Sequence, residues 1–95
     1  MNGTFEVLVT AHFERGLKKL VRTHPDLEME YRDILPILRA DPHNRTRQHA
    51  IKKLEGVNAG HGQYRIRMRR FRFRYDIHGQ TVYLKACTLR REDTY

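Results

Sequence analysis

Between positions 65 and 74 the chain carries Arg65, Arg67, Arg69, Arg70, Arg72 and Arg74, interleaved with Tyr64, Ile66, Met68, Phe71, Phe73 and Tyr75. Guanidinium groups bind phosphate in a bidentate manner and can stabilise the charge of a pentacovalent phosphorane, so the chemistry on offer is the holding of an anion. The period of two is a strand signal. A two-residue turn at Arg69-Arg70 predicts that Met68 faces Phe71, Ile66 faces Phe73 and Tyr64 faces Tyr75, all apolar or aromatic pairs. The same register sets Arg67 opposite Arg72 and Arg65 opposite Arg74 on the other face. Like charges directly opposed across strands destabilise a sheet. Asp76 is the only acid on the hairpin, so this face makes sense if an anion sits on it.

Other residues could join it. Lys52 and Lys53 precede the hairpin, either as a solvated pair or as contacts to RNA phosphate. Arg74 and Lys85 are expected on the basic face in support, and Tyr83 beside them. Among the six histidines, His49 and His61 lie in loops that could reach this face. His49 is a candidate acid or base, because imidazole titrates near neutrality; His61, between glycines, reads more simply as a loop residue. His12, His24 and His43 are most simply solvent-facing. No histidine pair has metal spacing beside a carboxylate or cysteine, so neither a metal nor another cofactor is expected. Cys87 falls on the basic side by alternation, but without a partnered histidine it reads as a semi-buried small residue. Tyr95 either packs on the sheet edge or stacks on a base and holds a hydroxyl.

The elements that must position these residues follow from pattern. Phe5 to Val9 reads as an N-terminal strand. Thr10 can cap a helix in which Phe13, Leu17, Leu20 and Val21 recur at helical spacing, ended by His24-Pro25. Leu27, Tyr31, Ile34, Leu35 and Leu38 define a second helix starting near Asp26, which Pro36 should bend or shorten and Asp41-Pro42 closes. Loops are expected over residues 41–50 and around Gly56, Asn58, Gly60 and Gly62, with Ile51 to Leu54 between them. After the first hairpin, a turn at His78-Gly79 would set Tyr75, Phe73 and Phe71 against Val82, Leu84 and Ala86, and Arg74 and Arg72 against Tyr83 and Lys85.

Ninety-five residues suffice for one small domain, expected to span residues 1–95. The net charge of +8 favours a polyanionic partner. Residues 1–50 contribute +1 of it and residues 51–95 contribute +7, so the basic footprint belongs to the C-terminal half. The single cysteine cannot form an internal disulfide, which fits a reducing cytoplasm. No apolar run is long enough for a membrane span or a signal peptide, so no membrane partner is expected.

The order strand, two helices and three-stranded meander, with KKLEG before YRIRM, then FRFRYDI and a terminal RREDTY, resembles the RelE/ParE superfamily of bacterial toxins over nearly the whole chain. The resemblance implies an α+β fold in which two N-terminal helices pack on one face of a four-stranded antiparallel sheet. It also implies a toxin of a type II toxin–antitoxin system, silenced by a cognate acidic antitoxin and touching operator DNA only through it. Its main branch cleaves mRNA on the ribosome, the 2′-hydroxyl attacking the next phosphate; a separate branch instead inhibits DNA gyrase. Carried over by position, Arg65, Arg67 and Arg72 would clamp the scissile phosphate. Arg91, four residues before Tyr95, and Tyr95 itself match a basic residue and a terminal aromatic of the family. The chain departs from the family in having Arg69-Arg70 at the turn and Arg90 where a histidine is frequent. Arginine is effectively always protonated, so the general base stays unassigned. A plain nucleic-acid-binding module is a third reading, but the aromatics beside the arginines are expected in the core.

Overall fold

The computed structural model describes residues 4–89. Arg90, Arg91 and Tyr95 lie outside the described residues. The elements run β1 (Glu6–Val9), α1 (Ala11–Thr23), α2 (Leu27–Ala40), β2 (Ile51–Lys53), β3 (Tyr64–Met68), β4 (Phe71–His78) and β5 (Thr81–Leu89). The strands form one sheet in the order β1-β5-β4-β3-β2. The expectation of four antiparallel strands is corrected in two ways. Ile51–Lys53 adds a fifth strand, paired antiparallel with β3, and β1 lies parallel to β5. A three-residue strand has too short a pattern to announce itself. The direction of β1 is fixed by the long path to its partner, which local alternation does not encode.

Thr10 caps α1 as expected: its Oγ accepts from the Phe13 amide at 3.2 Å, while its hydroxyl donates to the Leu84 carbonyl at 2.9 Å, which seats the helix on β5. Pro36 does not stop α2, which runs on to Ala40. Both Pro36 and Arg32, whose carbonyl loses its helical donor, are exposed, so water can satisfy that carbonyl. Phe13 of α1 and Leu27, Ile34 and Leu38 of α2 are fully buried with Ile66, Phe71, Phe73, Tyr75, Val82 and Leu84 of the sheet. This one cluster defines the apolar face, and both helices cover it.

The first hairpin has the predicted register throughout, with Arg67 opposite Arg72 and Arg65 opposite Arg74. Arg69 supplies a left-handed turn residue at φ 56°. The second hairpin differs. Its turn is Gly79-Gln80, with Gly79 at φ 62°, and His78 stays in the strand opposite Thr81. Tyr75 therefore faces Leu84 rather than Val82. Lys85 then forms a bulge, beyond which Arg74 faces Ala86, Phe73 faces Cys87 and Arg72 faces Thr88. A bulge adds one residue to one strand and reverses the phase of all that follow. Cys87 is thereby moved to the core, where it is 7% exposed, instead of the basic side. Arg74 and Arg72 meet Ala86 and Thr88, not Tyr83 and Lys85. Among the described residues no helix is long and apolar enough to cross a membrane.

Candidate nucleic-acid interface

On the face away from the helices, strand pairing builds two rows. Lys52, Arg65, Arg74 and Ala86 form one, and Arg67, Arg72 and Thr88 the next. The bulge decides the relief of this surface, because it presents the small side chains of Ala86 and Thr88 where tyrosine and lysine were expected. A cleft of about 270 Å³ opens over them, lined by Leu54, Arg65, Arg72, Arg74, Ala86 and Thr88. Within it Arg72 Nε is buried and has no hydrogen-bond acceptor among the described residues. A buried N–H on a cation is costly to leave without an acceptor, and a phosphate oxygen would supply one.

Two acids at the start of α2 are taken up by the turn arginines. Arg69 Nε lies 2.9 Å from Glu30 Oε2, and Arg70 Nη2 donates to both carboxylate oxygens of Asp26 at 3.0 and 3.1 Å. The Arg70 guanidinium also lies 5.3 Å from the Phe71 ring centre. The two turn arginines thus tie the hairpin tip to α2 and are withdrawn from the basic face. Sequence reasoning missed both partners, because nothing in the local pattern links the start of α2 to the distant hairpin turn. Arg70 holds the Asp26 carboxyl below its ordinary value, chiefly through their hydrogen bond.

Arg74 is divided between cleft and loop. Its Nε donates to the Gly62 carbonyl at 2.8 Å and its Nη2 to the His61 carbonyl at 3.0 Å. Asp76, 8% exposed, accepts from the Gly62 and Gln63 amides, both at 2.9 Å. Side chains two residues apart on β4 therefore clasp both edges of one backbone segment. Gly62 has φ 80°, and a Cβ there would stand 3.0 Å from Arg74 Cβ. The loop expected around Gly56 to Gly62 is pinned at the rim of the cleft, with His61 exposed beside it.

The remaining candidates scatter. Lys52 pairs with Arg65 on the basic face, whereas Lys53 pairs with Tyr64 and its Nζ lies 5.8 Å from that ring centre. Lys85 is the unpaired residue of the bulge, half-buried, and Tyr83 sits opposite Asp76. His49 is held by Asn44, which donates to its carbonyl at 2.9 Å and accepts from its amide at 3.1 Å. Its Nε2 lies 3.9 Å from Asp41 Oδ2, so the imidazole stands with the end of α2, and among the described residues it has no hydrogen bond or ion pair to an arginine of the cleft. His43, expected in solvent, packs edge-on against Phe5 and Tyr64; desolvation pushes its pKa down, with Arg45 adding to this. Burial pushes the Cys87 thiol up to about 12, which leaves it protonated and unreactive at neutral pH. Among the described residues no group of three or more His, Cys, Asp or Glu converges. Arg91 and Tyr95 fall outside the described residues.

The fold is similar to that of a chain in the crystal structure of the archaeal RelE-RelB complex from Pyrococcus horikoshii OT3, with a TM-score of 0.62, 24% identity, and 94% of this chain and 98% of that chain covered. It is also similar to a chain of the RelB-RelE antitoxin-toxin complex from Methanococcus jannaschii, with a TM-score of 0.54 and 18% identity over 86% of this chain and 88% of that one. At these identities the likeness is one of fold. No family model matches the chain, and no curated protein matches it.

Proposed function

We propose that this chain is the toxin of a toxin–antitoxin pair and an endoribonuclease that cleaves messenger RNA on the ribosome. The observation that carries the reading is the cleft itself: Arg65 and Arg72 line it, Lys52 and Arg67 stand beside it, and Asp76, the hairpin's one acid, is turned to the loop backbone. The likeness to RelE-RelB complexes supports the placement in a toxin–antitoxin system.

In this reading the messenger lies along the basic rows as a single strand. Its 2′-hydroxyl attacks the adjacent phosphorus, the 5′-oxygen of the next nucleotide leaves, and a 2′,3′-cyclic phosphate remains. Arg65, Arg67 and Arg72 hold the non-bridging oxygens as charge builds in the phosphorane. Lys52 neutralises a flanking phosphate, and Arg74 keeps the 61–63 segment at the rim. The resemblance adds Arg91 to the phosphate contacts and Tyr95 to the orientation of base or hydroxyl. An acidic antitoxin segment covers this face when the toxin is silent.

Expression of the chain alone tests the proposal. Protein synthesis should stop, messages should be cut within codons, plasmid supercoiling should stay normal, and Arg72→Gln should abolish the cuts. Intact messages with lost supercoiling would transfer the chain to the gyrase-directed reading.

A further inference from the structure

The outward side of α1 carries a second set of cations. Arg15, Lys18, Lys19 and Arg22 are all exposed, and at 3.6 residues per turn they occupy an arc of about 100° over roughly 10 Å of helix axis. Residues 15–18, 15–19, 18–22 and 19–22 are like-charged neighbours at three or four residues, a spacing at which repulsion weakens a helix. Against these four repulsive spacings stands one favourable one, Glu14 four residues before Lys18. Among the described residues none of the four has an ion pair. The one acid of the helix, Glu14, is near Tyr31, whose hydroxyl is raised first by burial and further by the Glu14 charge.

This stripe is remote from the arginine cleft, because α1 packs through Phe13 on the apolar side of the sheet and the cleft opens on the other. The segment of a single strand held in the cleft is thus on the far side of the sheet from α1. We propose that the α1 stripe is a second RNA surface, which takes the phosphate backbone of a duplex while the cleft holds a single strand. It rests on the reading of the cleft as the messenger site.

The composition of the stripe selects that occupant. Single-stranded RNA is held by aromatic platforms as well as charge, and the stripe has no aromatic. A membrane-surface helix needs bulky apolar residues beside its cations, and a protein interface needs buried anchors; among the described residues the exposed large hydrophobics, Leu8, Val9 and Met29, all lie off α1, and the shallow hollow beside Lys19, lined by Gly16, Leu20, Thr23 and Cys87, presents no large exposed side chain. Duplex RNA is contacted through phosphates and 2′-hydroxyls, for which a rigid row of cations suffices.

The test uses two probes read by fluorescence anisotropy, an unmodified 20-base-pair RNA duplex and a non-cleavable, 2′-O-methylated 10-nucleotide single strand. The variant Arg15→Gln/Lys18→Gln/Lys19→Gln/Arg22→Gln keeps good helix formers and should match or exceed the parent in thermal stability. It should lose at least tenfold in duplex affinity, with the slope of log K against log salt shallower by roughly 3 to 4, and bind the single strand within twofold of the parent. Arg67→Gln/Arg72→Gln should show the reverse. Unchanged duplex affinity and salt slope in the folded α1 variant would overturn the proposal, as would a loss confined to a polyglutamate peptide or to phosphatidylglycerol vesicles. If the α1 variant behaves as expected but Arg67→Gln/Arg72→Gln still binds the single strand, the messenger reading fails and the α1 surface stands.

Discussion

Arg67 and Arg72 face each other across the β3–β4 hairpin, with Arg72 Nε buried and lacking an acceptor among the described residues. Two guanidinium groups opposed in this way repel, so the pair stores unfavourable energy that an anion relieves. Arg72→Gln should leave urea stability equal to or above that of the parent while lowering the proposed messenger cleavage by about 10² or more, the scale of losing one transition-state contact. Phe73→Ala, the next residue on β4 but fully buried, should do the opposite and destabilise by about 3–5 kcal/mol. Unfolding of Arg72→Gln would refute the assignment of this face.

Glu30 has a side chain only 6% exposed, and its Oε1 has no hydrogen-bond partner among the described residues. Arg69 is its ion-pair partner, at 2.9 Å from Oε2. Arg69→Gln should therefore cost about 1–3 kcal/mol, the range for stranding a buried polar group, measured by denaturant unfolding. Adding Glu30→Gln should recover most of that loss, because the stranded charge is then gone.

The Asp26–Arg70 pair predicts a pH dependence of defined sign. A carboxyl depressed in the folded state contributes stability that is present above its unfolded value, near 3.8, and lost as pH falls through the folded one. By NMR titration Asp26 should have its midpoint below 3.8 in the parent and return towards it in Arg70→Gln. Coincident midpoints would show that the pair does not persist in solution.

Gly62 combines a positive φ with the close approach of Arg74 Cβ, an atom fixed to the strand. Gly62→Ala should cost about 1–3 kcal/mol through backbone strain. Amide exchange should quicken at Gly62 and Gln63, whose hydrogens are held by Asp76. If exchange there is unchanged, the clasp is not the constraint it appears from the distances.

The parts of this molecule that could be read from sequence are those set by local repetition. The first hairpin shows strict alternation on both sides of a two-residue turn, so one choice fixed five pairs correctly. Thr10 stands directly before a helical period, and its cap formed. What escaped depends on non-local matching. Ala86 and Cys87 are both small and semi-apolar, so nothing in their types marks the phase reversal at Lys85. Arg74 has the same spacing as its neighbours, and only the folded path of residues 61–63 diverts it. His49 was placed near the arginines by its loop, but Asn44 and Asp41 hold it elsewhere. Asp26 and Glu30 had helix-terminal roles that concealed their reach to the turn.

The pairing of β1 with β5 also sets an order of events. Thr10, at the end of β1, finds its acceptor on Leu84, 74 residues later. A growing chain that has already made β1, both helices and the first hairpin still lacks the strand that joins β1 to the rest and supplies Val82 and Leu84 to the core. Contacts of such long sequence separation close slowly. Until β5 emerges, Ala86 and Thr88 are missing and the cleft has no floor. Any binding that depends on the finished cleft therefore begins only after β5 has been synthesised.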